Sequence, residues 1–133
     1  MSDKIGVLGE AATTTVGTTT VYTVPTGKAA KGKLMFILQG NAGGGSIIEF
    51  FVNGMSIAKI AAMTASFYAF SVKSAGLRAA EQAAQPTGIG TALTVAPADP
   101  IYFLSAGDTV QYATSGAALI AANVQFVGTE IDV

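Results

Sequence analysis

The stretch from Thr18 to Leu38 does most to limit what this chain can fold into. Thr18-Thr19-Thr20-Val21-Tyr22-Thr23-Val24 is β-branched and aromatic, and such side chains crowd a helix but suit a pleated strand. Pro25 then presets φ and cannot donate to a ladder, while Gly27 can take φ > 0, so Pro25-Thr26-Gly27-Lys28 predicts a turn. Leu34-Met35-Phe36-Ile37-Leu38 follows as a continuous apolar run. Leu34, Phe36 and Leu38 share one face and Met35 and Ile37 the other. A strand apolar on both faces is central with a covered outer side, or lies at a subunit interface.

The rest of the chain reads as further strands. Gly40-Asn41-Ala42-Gly43-Gly44-Gly45-Ser46 reads as a hairpin loop. A phosphate cradle would need a Gly-Lys-Ser/Thr pattern and a following helix, and the sequence offers neither. Ile47 to Val52 predicts a strand with Ile48, Phe50 and Val52 inward. Asn53-Gly54 is the strongest hairpin signal in the chain, with Ser56 to Ile60 as the return strand. Ser66 to Val72, Ala92 to Ala96, Ile101 to Leu104, Thr109 to Thr114 and Asn123 to Val127 complete the set, with Val110, Tyr112, Val124 and Phe126 inward. Glu130-Ile131-Asp132-Val133 reads as an acidic tail.

Two segments break the rhythm. Residues 1–17 are Gly, Ala and Thr around the island Ile5-Gly6-Val7-Leu8-Gly9, which alone buries too little to hold a position. They read as an extended N-terminal arm that orders by docking onto a neighbour. Ala75 to Thr91 contains good helix formers from Leu77 to Ala84, ended by Pro86 and Gly88, but its apolar face is mostly alanine. An irregular excursion with one short helix is expected there. The sum is an all-β fold, an antiparallel β-sandwich or jelly roll: arm 1–17, single domain 18–133.

Charge adds a second constraint. Half of the 133 residues are apolar and 11% are charged, against about 25% in an ordinary soluble domain. That is few charges to cover a monomer's surface, so part of the outside is expected to be buried against partners. The net charge is −1, with no long run of either sign, so neither nucleic acid nor a membrane surface is an expected partner. Lys28, Lys31 and Lys33 form the one local cluster, as solvated turn residues or inter-subunit ion-pair donors rather than a phosphate site. No apolar h-region follows Met1-Ser2-Asp3-Lys4, and no apolar run approaches the roughly 20 residues of a membrane helix. A soluble product made in the cytoplasm is expected.

The chain has no Cys and no His. Serine and cysteine triads that need a histidine base, thiolate ligands and imidazole metal sites are therefore excluded. Ser71 with Lys73 is the nearest serine–lysine pair, without an oxyanion-hole motif beside it. Acid pairs for glycoside chemistry would come from Glu49, Glu81, Asp99 and Asp108, of which Glu49 is outward on its strand and Asp108 is in a turn. No catalytic, cofactor or metal site is expected. The aromatic residues read as core, except Phe51, which is opposite in phase to Phe50 and is a candidate for an interface.

Three segments carry a resemblance. Ile5-Gly6-Val7-Leu8-Gly9, Thr19-Thr20-Val21-Tyr22-Thr23-Val24-Pro25-Thr26-Gly27-Lys28-Ala29-Ala30 and Ala106-Gly107-Asp108-Thr109-Val110, with Phe126-Val127-Gly128 near the end, resemble a family of small tailed-bacteriophage virion proteins found in marine and freshwater phages. The middle departs from it: Gln39-Gly40-Asn41 and a glycine loop stand where members often carry an Asn-Arg pair. The resemblance implies a non-enzymatic structural role in the virion, with no catalytic residues to carry over. The expectation is a capsid decoration or cement protein, oligomeric, contacting other virion proteins and copies of itself, without a small-molecule ligand. A tail- or fibre-associated host-binding module is the alternative. Candidate interface residues are Ile5, Val7, Leu8, Lys28, Lys31, Lys33 and Phe51.

Overall fold

The computed structural model describes residues 4–65, 67–71 and 101–133. The expected strand at Ala92–Ala96, the excursion from Ala75 to Thr91 and Lys73 lie outside these residues. Nine strands are described: β1 (Lys4–Ala11), β2 (Gly17–Thr23), β3 (Lys28–Gln39), β4 (Ser46–Val52), β5 (Met55–Met63), β6 (Phe67–Ser71), β7 (Tyr102–Ser105), β8 (Thr109–Gly116) and β9 (Ala121–Asp132). Among the described residues there is no helix.

The strands pair antiparallel as one long folded ribbon: β1 with β9, β2 with β8, β3 with β6 and β7, and β4 with β5. The ribbon is rolled so that β9 also meets β3 and β8 also meets β4. This gives a first sheet in the order β1-β9-β3-β6 and a second in the order β2-β8-β4-β5. β7 pairs with residues 29–32 of β3 and β6 with residues 35–39, so the two share the fourth position of the first sheet. The chain crosses between sheets at β1–β2, β2–β3, β3–β4, β5–β6, β7–β8 and β8–β9, in the manner of a jelly roll, and the result is the all-β sandwich class read from the sequence.

The core lies between the sheets and follows the period-2 phases. Leu34, Phe36 and Leu38 of β3, Ile48 and Phe50 of β4, Val110 and Tyr112 of β8, and Val124 and Phe126 of β9 are buried. Phe36 and Phe50 meet across the sheets at 5.1 Å, and Tyr22 stacks on Phe126 at 5.4 Å. The Asn53-Gly54 hairpin forms as expected, with φ of 51° and 78°, the left-handed pair that a tight two-residue turn requires.

Three expectations are corrected. Residues 4–11 are not a free arm: β1 is the edge strand of the first sheet, held along β9 from Lys4↔Glu130 to Ala11↔Val124. Gly9 has a packing reason, since a Cβ there would stand 2.3 Å from the Val21 carbonyl oxygen, where β1 passes over β2. The glycine-rich loop after Gln39 is a crossing between sheets, not a hairpin. Ser46 Oγ pins it, accepting from the Asn41 N–H at 3.0 Å and donating to the Ala118 carbonyl at 3.1 Å. The acidic tail is the last part of β9, and Glu130 is buried inside the sandwich.

The sheet edges share one feature. The ladders to β1, β2 and β5 each carry a register shift, at Val7/Gly9, Thr20/Tyr22, and both Ser46/Ile48 and Phe50/Phe51. The inner β3–β9 and β4–β8 ladders run without one. Among the described residues, the remaining edge is occupied by two short strands of five and four residues. Bulged or short edges resist pairing with another chain, so association by strand addition is disfavoured.

Candidate interaction face

The two outer faces of the sandwich differ in chemistry. That of the second sheet is largely polar: Gln111 Nε2 donates to Thr20 Oγ1 at 3.0 Å, Ser56 Oγ donates to Glu49, and Glu49 stands opposite Lys59. Phe51 and Ile47 are half-buried on this face. The outer face of the first sheet exposes several large apolar side chains among polar ones. The register aligns Phe103, Lys31, Thr129 and Ile5 in one row across β7, β3, β9 and β1, and Lys33, Val127 and Val7 in a neighbouring row. Phe103 is 76% exposed, Ile5 80%, Ile37 54% and Ile101 51%.

A depression of about 540 Å³ lies beside Phe103, lined also by Ala29, Lys31, Thr129 and Ile131. A second, of about 560 Å³, adjoins it between Ile101, Lys33 and Val127. Both share Lys31 and Phe103. The carboxylates at the rim are occupied. Glu10 accepts from the side-chain amides of Asn123 and Gln125 at 2.8 and 2.9 Å, which hold its carboxyl below the ordinary range. Asp108 accepts from the Ser105 N–H at 2.9 Å.

The structure gathers some of the sequence-based candidates and scatters others. Ile5, Val7, Lys31 and Lys33 come together on this face, Lys33 half-buried. Leu8 is buried in the core, because strand alternation turns it to the face opposite Ile5 and Val7. Lys28 is at the sandwich end in an ion pair with Asp132, so the three lysines are not one cluster. Phe51 lies on the opposite sheet. Phe103 is corrected from core to surface. Tyr102 and Leu104 take the inward positions of β7, and in the unbroken apolar run Ile101–Leu104 no polar residue marks the phase.

Tyr22 Oη donates to Glu130 Oε2 at 2.5 Å. Burial, and then this hydrogen bond to the carboxylate, push the Tyr22 hydroxyl well above the ordinary phenol range. Carrying on the Val124, Phe126 phase would have placed Glu130 inward. Among the described residues no three acidic side chains gather as a metal site would require, and no helix is long and apolar enough to cross a membrane. Ser71 ends β6 and pairs with Met35.

No protein-family model matches the chain and no curated protein does. Among solved structures the chain is similar to the acetyl xylan esterase Est2A from the rumen bacterium Butyrivibrio proteoclasticus, at 9% identity and a TM-score of 0.37, over 100% of this chain and 34% of that one. The chain spans about a third of the length of that structure, and a likeness at this score carries no argument.

Proposed function

We propose that this chain is a non-enzymatic virion structural protein, a capsid decoration or cement protein that stabilises a shell by bridging neighbouring subunits. The fold does not decide this, since jelly rolls host many functions. The observation that carries it is the contrast between the two outer faces: a polar one on the second sheet, and one on the first that exposes Phe103, Ile5, Ile101 and Ile37. Exposed apolar side chains gathered on one face mark a site of association, and the resemblance of the Thr19–Ala30 and Ala106–Val110 segments to phage virion proteins supplies its setting.

The mechanism is burial of apolar area across subunit seams, worth about 25 cal/mol per Å² before association costs. Each contact is small, and the symmetry of a shell multiplies it. The protein is placed in the virion after synthesis in the host cytoplasm, with other virion proteins and copies of itself as partners. Adding purified protein to particles depleted of it tests this: resistance to heat and low salt should return. A free protein that binds host cells or glycans and leaves particle stability unchanged would favour the host-binding alternative.

A further inference from the structure

We propose that the outer face of the first sheet, centred on Phe103 and Lys31, docks onto an apolar protein surface that presents carboxylates and belongs to a different chain. The proposal deepens the virion reading and rests on it. Charge names the chemistry of the partner. Lys31 is exposed between Phe103 and Thr129 in its row, with Ile101, Val127 and Ile131 lining the depressions beside it and Lys33 two residues along the strand. Among the described residues the rim carboxylates, Glu10 and Asp108, are engaged by groups of this chain. A cation flanked by apolar side chains such as Phe103 loses hydration when the face is covered, and a carboxylate on the partner restores its interactions.

The same geometry disfavours a second copy as the occupant. A two-fold contact through this face sets the same patch against itself, bringing Lys31 of each copy towards the other. Bulged and short edges leave the face, rather than a strand edge, as the means of attachment.

The test is carbodiimide coupling of purified particles, followed by peptide mass spectrometry, with acetylation of Lys31 compared between the particle and the free protein. The expected result is Lys31 joined to an Asp or Glu of another virion protein and acetylated at least tenfold more slowly in the particle. Lys31→Glu should reduce retention on particles at least tenfold, while Thr18→Glu, at an exposed position of β2, should not; unchanged melting temperatures show that both variants fold. Equal acetylation in both states, or coupling of Lys31 to a second copy of this chain, would overturn the proposal and leave the virion reading standing. Absence of the protein from purified particles would refute both.

Discussion

Tyr22 and Glu130 are 108 residues apart in sequence and share a hydrogen bond inside the sandwich. A buried carboxylate without a donor is costly, so Tyr22→Phe should lower stability by about 1–3 kcal/mol, measurable as a shift in denaturant midpoint at pH 7. The pH dependence has a definite sign. A hydroxyl whose folded pKa is raised stabilises the fold while protonated; that stability is full below the unfolded value of about 10 and is lost as pH rises through the higher folded value. Stability of the wild type should therefore fall above about pH 10, and more shallowly in Tyr22→Phe. Phase along a strand decides cost equally sharply. Phe50, fully buried, should cost about 3–5 kcal/mol on replacement by Ala, whereas Phe103→Ser, on the outer face, should change stability by less than about 0.5 kcal/mol and instead weaken attachment to particles.

Elements were legible where alternation was clean and hidden where it was not. β4, β8 and the middle of β9 carry apolar residues at every second position, and the structure buries those. The Asn53-Gly54 turn was fixed by its own chemistry. β1 was missed as a strand because Ile5-Gly6-Val7-Leu8-Gly9 has little to bury alone; its partner, β9, lies at the other end of the chain, and a bulge shifts its phase. β7 was found but its outward side was not, because a wholly apolar run carries no phase. Half the candidate face was read, through Ile5, Val7, Lys31 and Lys33, and its centre at Phe103 was not. Deleting residues 1–11 tests the corrected role of β1. The free protein should lose Leu8 from its core, expose β9 as a new edge and melt at a lower temperature; an unchanged melting temperature would restore the docking arm.

At the scale of the whole molecule, a rolled ribbon of paired strands leaves two outer faces and bulged or short edges. One face is closed by its own polar bonds and the other exposes apolar side chains around a cation. Few charges in the sequence suggest covered surface, and the register between β1, β9, β3 and β7 gathers the residues of the face proposed for it. Quantitative mass spectrometry of purified particles, separated into heads and tails, tests the central claim most directly. The account predicts many copies in the head fraction, in fixed proportion to the shell protein. A few copies confined to tails, or none in either fraction, would contradict it.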